Sequence, residues 1–190
     1  MSVDGNSANV RVGVVGAVFS GPLTADIPAN ATAALASTLV ATLLTAKFRQ
    51  GGYVSTDGVT QSISSSTSKI TAWGGEPVRI VQTEHGLTYS WKIIESSLAA
   101  LQDYYGEDAT AEVAAINGAM LPRRARVLVI RDGDRRIIIV LPDSQITERG
   151  DIQYYAEDAV GYEVTAECFA DADGNKAYIY MGEVLTAAVV

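Results

Sequence analysis

One cysteine, Cys168, and one histidine, His85, are all that this 190-residue chain has of those two residue types. A lone cysteine excludes an internal disulfide, and no Cys/His grouping has the spacing of a zinc site. Folding in a reducing cytoplasm fits that usage. A Ser-His-Asp arrangement would have to rest on His85, which precedes Gly86 in an expected turn, and no G-x-S-x-G elbow presents a serine to it. Basic residues are in deficit, 14 against 22 acidic ones for a net charge of -8, which speaks against a general nucleic-acid binder held by phosphate contacts. Long apolar runs are missing as well. The longest uncharged stretch, 27–46, carries Pro28, Asn30 and repeated Thr and Ser, whereas a bilayer span needs about 20 predominantly apolar residues. It reads as a helix-prone loop or a partner-facing segment. The opening MSVDGNSANV has neither the basic start nor the apolar run of a signal peptide. Gly13-x-x-Gly16 lacks the Lys-Ser/Thr that would make it a P-loop. The acidic turn Asp171–Lys176 has calcium-loop residues but Gly182 where the twelfth-position glutamate belongs, so it reads as a hairpin turn. Glu157-Asp158 is a carboxylate pair of the kind common on solvated loops.

What is present is a chain of 48% hydrophobic and 19% charged residues, globular in composition and long enough to bury roughly 70% of its unfolded surface as one domain. Strand-like runs dominate. Val10–Phe19 is β-branched, with Gly13 and Gly16 marking a bulge or a close backbone approach. Val78–Gln82 and Leu87–Ile94 read as a pair around a Glu84-His85-Gly86 turn. In the second, Leu87, Tyr89, Trp91 and Ile93 share one face by alternation. Arg126–Arg131 and Arg135–Leu141 flank Asp132-Gly133-Asp134, a hairpin signal. Ile152–Ala156, Tyr162–Phe169 and Ala177–Gly182 follow, and Cys168 joins the inward face of Tyr162, Val164 and Ala166. The strongest helix is Ser97–Tyr105, with a serine N-cap, an apolar stripe of Leu98, Leu101 and Tyr105, and Gly106 to end it. Ala33–Phe48 carries Leu35, Leu39, Leu43 and Ala46 at helical spacing, and Glu107–Leu121 is Ala-rich and ambiguous. Many strands, one strong helix and no βα alternation imply a mainly β (α+β) fold: two packed β-sheets, as sandwich or barrel, with a flanking α-helix and a long loop.

That long loop is residues 51–75, GGYVSTDGVTQSISSSTSKITAWGG. Glycine pairs close both ends, Asp57-Gly58 signals a turn, and the small polar residues between bury almost no apolar surface in their own subunit. Aromatic and β-branched residues (Tyr53, Val54, Val59, Ile63, Ile70 and Trp73) border it with the spacing of short strands. The expectation is a loop ordered by a neighbouring molecule. Charge is also uneven. Arg123, Arg124, Arg126, Arg131, Arg135 and Arg136 crowd one hairpin, while from Asp143 onward ten acidic residues face only Arg149 and Lys176. Two readings stand: an ordinary solvated face on each element, or opposite faces that guide identical subunits head to tail.

Gly52–Val59 (GYVSTDGV), with Lys69-Ile70-Thr71-Ala72-Trp73-Gly74-Gly75 after it, resembles the major tail tube proteins of long-tailed, siphovirus-type bacteriophages, most of all those of phages infecting mycobacteria and related actinobacteria. Val12–Pro28 resembles the family's first strand and its exit, and Ser90–Gly106 its strand–Glu–helix–Gly unit. The resemblance implies a structural virion protein, without catalytic residues, metal or cofactor, that forms hexameric rings stacked into a hollow tube for DNA delivery. It implies a single tail tube domain over 1–190, with an N-terminal arm at 1–9, an inter-subunit loop at 51–75 and no immunoglobulin-like C-terminal addition. The implied partners are further copies of itself, the tape measure protein, the tail terminator and tail-tip proteins. DNA would pass an acidic lumen without specific binding, with no membrane insertion. Self-assembly contacts are expected at Tyr53, Val54, Asp57, Gly58, Val59, Ile70, Trp73, Arg135 and Arg136. Exposed sheet edges would pair around each ring. The alternatives are the tube of a contractile tail or type VI secretion apparatus, a calcium- or carbohydrate-binding β-module using Asp171–Lys176, and a hydrolase using His85.

Overall fold

The computed structural model describes residues 12–110, 112–154, 156 and 159–185. The expected N-terminal arm, the start of the first strand with Arg11, and the Glu157-Asp158 pair lie outside them. In chain order the elements are β1 (Val15–Gly21), α1 (Ala31–Leu35), α2 (Leu39–Thr45), β2 (Arg49–Thr71), β3 (Pro77–Ile93), α3 (Leu98–Tyr105), β4 (Arg124–Asp132), β5 (Arg135–Arg149), β6 (Tyr162–Cys168) and β7 (Tyr178–Glu183). The mainly β expectation holds, in its barrel form. All pairings between these strands are antiparallel, and the order β4-β1-β2-β3-β6-β5-β7 returns on itself because β4 also pairs with β5. Six strands therefore form a closed ring of hydrogen bonds, with β7 outside it on β5. Closure removes most of the free edges that the sequence led us to expect.

The Asp132-Gly133-Asp134 signal turns β4 into β5, with Asp132 opposite Arg135 and Gly133 at φ 58°. That left-handed value is what glycine supplies without a Cβ penalty. β5 has two successive partners on its other edge. Arg135 to Val140 pair with β7, and Ser144 to Arg149 pair with β6. The switch comes at Pro142, which cannot donate to a ladder and sits where the β4–β5 register shifts. The Asp171–Lys176 turn is therefore no hairpin between its flanking strands, as the sequence suggested. β6 and β7 do not pair, and the turn is an excursion between two segments laid end to end along β5.

Alternation sorts the strands into two clusters. Leu128, Ile139, Leu141, Trp91, Tyr89, Val164 and Cys168 fill the barrel. Val127, Val129, Ile138 and Val140 face the other way, onto Leu35, Leu39, Leu43 and Phe48 of the α1–α2 region. β4 and β5 are thus covered on both faces. The expected face of Leu87, Tyr89, Trp91 and Ile93 is buried, as is that of Tyr162, Val164, Ala166 and Cys168. Burial pushes the Cys168 thiol up to about 12, so it stays protonated and inert.

The expected helix forms as α3. The Ser97 hydroxyl accepts from Ala100 N–H at 3.2 Å and donates to the Gly51 carbonyl at 2.6 Å, and Gly106 ends the helix at φ 120°. The buried side chains are Ala99, Ala100, Leu101 and Asp103. Leu98, expected in the apolar stripe, is exposed, because the sheet meets α3 one position along. Residues 31–45 form two short helices broken at 36–38, with Leu35, Leu39 and Leu43 inward, so the stretch 27–46 mostly covers the sheet. Among the described residues no helix is long and apolar enough to cross a membrane. Ile152 to Tyr154 and Ala156, expected in a strand, have no regular structure.

A buried polar group sits inside the barrel. Arg126, 1% exposed, donates to the Ser144 carbonyl at 3.0 Å and its hydroxyl at 2.8 Å, and pairs with Asp103 at 3.3 Å. Ser20 adds a hydrogen bond to the same Asp103 oxygen at 3.1 Å. Three strands and α3 are thereby fixed around one guanidinium, which is costly to bury unless paired in this way.

Candidate assembly surface

The expected loop 51–75 is not a loop. It is nearly all of β2, and its ladder with β3 runs from Val54 opposite Ile93 to Thr71 opposite Pro77. Glu84-His85-Gly86, expected as a turn, lies within β3, with Ser65 opposite His85 and Ser64 opposite Gly86. A Cβ at Gly86 would meet only the Ser64 hydroxyl, which is exposed and can turn away, so the ladder does not demand glycine here. The real turn is at 72–76, closed by Ala72 N–H to Glu76 O and Gly75 N–H to Ala72 O, each 2.8 Å.

β6 leaves β3 at Thr88, and β1 leaves β2 at Tyr53. Beyond Ile63 and Leu87 the hairpin is a two-stranded arm, exposed on both faces. At about 3.3 Å per residue it reaches roughly 30 Å from the barrel. Its exposed side chains include Ile63, Ile70, Val78 and Ile80, with Trp73 entirely uncovered at the tip. Lys176 of the β6–β7 excursion donates its ammonium to the His85 carbonyl, near the root.

The expected contact residues fall into three groups. Ile70 and Trp73 belong to the arm. Tyr53, Val54, Asp57, Gly58 and Val59 lie at its base: Tyr53 is 71% exposed, while Val54 and Val59 pack against the barrel core. Asp57-Gly58 is a bulge rather than a turn between elements. Gly58 has φ 73°, and the Ser55 hydroxyl donates to Asp57 at 2.8 Å. Below it, Gly51 and Gly52 admit Ile93 and Glu95. A Cβ on Gly51 would lie 2.7 Å from the Ile93 Cδ1. The third group is Arg135 and Arg136, far from the arm along β5. Arg136 is 9% exposed and donates to the Ala36 carbonyl at 3.1 Å, so it fastens the α1–α2 connection to the sheet.

Three other arginines of that hairpin, Arg123, Arg124 and Arg126, have acidic partners, while Arg131 lies opposite Arg136. Arg123 forms a bidentate pair with Asp143 and lies over the Phe169 ring at 4.1 Å, and Arg124 pairs with Glu107. Sequence reasoning missed a cleft of about 510 Å³ at the end of the barrel where β1 leaves and β2 and β4 enter. Pro22, Leu23, Lys47, Arg49, Arg123 and Arg124 line it, with Glu107 the one carboxylate. The signal was dispersed: these cations come from two segments about seventy-five positions apart.

The enzyme-like and metal-like alternatives gain no geometry. Ser65 and His85 are exposed cross-strand partners, and no side-chain hydrogen bond between them occurs. Asp171 accepts from the backbone N–H of Asp173 and Asn175 and from the Tyr178 hydroxyl at 2.7 Å. That hydroxyl, then the backbone donors, holds its carboxyl below the usual range, so both oxygens are engaged in shaping the turn.

A family profile described as phage tail tube protein matches residues 3–190. The chain belongs to that family. Membership makes it a structural virion component of a phage tail tube and gives it a non-enzymatic role. Among solved structures the tail tube protein is similar to the tube-terminating cap of the anti-feeding prophage, at 9% identity over 96% of this chain and 100% of that one, TM-score 0.48. It is also similar to a chain of an extracellular contractile injection system sheath–tube complex, at 11% identity over 66% and 79%, TM-score 0.40. A third is a chain of a native gene transfer agent virion, at 12% over 72% and 89%, TM-score 0.37. Curated proteins yield no match.

Proposed function

We propose that this protein is the major tube subunit of a long-tailed, siphovirus-type phage, closing into hexameric rings that stack into a hollow conduit for DNA. The observation that carries the reading is the bare β2–β3 arm. A two-stranded ribbon with both faces in water is marginal on its own, and this one holds Ile63, Ile70, Val78, Ile80 and Trp73 exposed. It gains partners only from other molecules. The arm lies on one side of the barrel, and where it seats on the body of a second copy the contact joins two different surfaces. Contacts of that kind close into a ring where the rotation allows and otherwise grow without limit. The ladder already orders the arm's backbone, which lowers the entropy that assembly has to overcome.

The acidic balance suits a passage for DNA, since carboxylates lining a lumen repel phosphate. The pairing of Arg123, Arg124 and Arg126 with acids keeps that hairpin from gripping it. Subunits fold in the host cytoplasm, and the tape measure, terminator and tail-tip proteins are the expected companions. Electron microscopy of concentrated purified protein tests the proposal. Sixfold rings or tubes are expected, and strictly monomeric particles, even when seeded with tails, would sink it.

A further inference from the structure

The arm tip and the barrel-end cleft are complementary in chemistry. The tip presents one aromatic ring, Trp73, and one carboxylate, Glu76, on a turn that its own hydrogen bonds hold in shape. Gly74 and Gly75 beside them have open space where a Cβ would stand, so another surface can come close. The cleft presents apolar walls, Pro22 and Leu23, beside cations, Lys47 and Arg49. Arg49 shares Glu107 with Arg124 at 3.8 Å, and the Lys47 side chain has no hydrogen bond or ion pair among the described residues. Lys47 also holds φ 69°, the one non-glycine residue at positive φ among those described. That left-handed residue ends α2: its N–H meets the Leu44 carbonyl at 3.2 Å and the Phe48 N–H meets the Leu43 carbonyl at 3.0 Å. The cations are crowded too: burial, with Arg49 and Arg126 adding to it against the pull of Asp103, lowers Arg124. An aromatic ring laid against a guanidinium and a carboxylate set beside an ammonium would relieve that crowding.

The occupant cannot be the chain's own tip. β2 leaves the cleft at Arg49 and carries the chain away from it to Thr71, on the order of 70 Å of strand path at about 3.3 Å per residue. We propose that Trp73 and Glu76 of one copy seat in the Pro22, Leu23, Lys47 and Arg49 cleft of a second copy. This rests on the tube reading and deepens it, naming both halves of a head-to-tail contact. The contact joins unlike surfaces, so each docked copy leaves one tip and one cleft open for the next.

Two experiments test the seating. Glu76→Lys and Lys47→Glu should each raise the concentration needed for polymerisation at least about tenfold, and the double reversal should recover most of the loss. Separately prepared Trp73→Cys and Leu23→Cys chains, mixed and mildly oxidised, should form a disulfide-linked dimer that neither forms alone. The buried Cys168 stays out of that reaction. Normal tubes from both single reversals, with no cross-link from the mixture, would overturn the seating and leave the tube standing. An unaltered chain that never polymerises overturns the tube reading and takes the seating with it.

Discussion

Two hairpins of this molecule have similar hydrogen-bonded ladders and opposite surroundings. β4–β5 is covered on both faces, by the barrel interior on one side and by the α1–α2 region on the other. The β2–β3 arm is covered on neither. Backbone pairing alone therefore does not locate the stability of the subunit; side-chain burial does, at about 25 cal/mol per Å² of apolar surface. The first hairpin holds the subunit together and the second is left for other molecules.

The contrast breaks most sharply inside the barrel. Asp103→Ala leaves the Arg126 guanidinium buried without its carboxylate and should cost about 3–5 kcal/mol in denaturant unfolding. Replacing both partners by apolar residues should cost less, and a double variant as unstable as the single one would show that packing, not charge, is being lost. Next, Leu128→Ala should cost about 2–5 kcal/mol, while Ile80→Ala in the arm should stay within about 0.5 kcal/mol. Equal losses at the two sites would abolish the distinction between the hairpins.

Up to about pH 10, a smaller effect comes with alkali. Burial raises both Cys168 and Tyr89 to about 12 in the folded chain, from 9.0 and 10.0. The unfolded chain gives up these protons first, so stability is full below pH 9 and falls as pH rises from there toward 12. Cys168→Ala should remove the part of the decline that starts near pH 9, whatever it costs at neutral pH. Smallest of all in stability is excision of the arm. Replacing 64–86 by Asn-Gly, between the paired residues Ile63 and Leu87, should leave unfolding within about 1 kcal/mol of the parent while ending polymerisation.

Legibility in the sequence followed the same divide. The β4–β5 turn, the alternation from Leu87 to Ile93 and the Ser97–Gly106 helix were readable because each has a chemical marker: a left-handed glycine, a buried face, a capping hydroxyl. The arm was misread as a loop because two-residue periodicity is written by burial, and Ser62, Ser64, Ser66 and Ser68 have nothing to face. Gly86 signalled a turn, but it lies within β3, opposite Ser64 in the ladder. Of the expected contact residues, Ile70 and Trp73 stand out by their apolar character in a polar run, and both are exposed on the arm. The burial of Arg136 was not legible, since a charge held against a carbonyl looks the same in sequence as one in water. The cleft depended on the meeting of Pro22, Lys47 and Arg123, which only the closed sheet brings about.

Closure of that sheet separates two tasks. A barrel whose first and last strands already hold each other has no vacant border to lend, so the body of each subunit is finished before it meets another. Among the described strands, the outgrowths, that is the arm and the outer side of β7, are where ladder backbone stays open. The shape of the polymer can thus be altered through a few side chains on these appendages while the wall material stays the same.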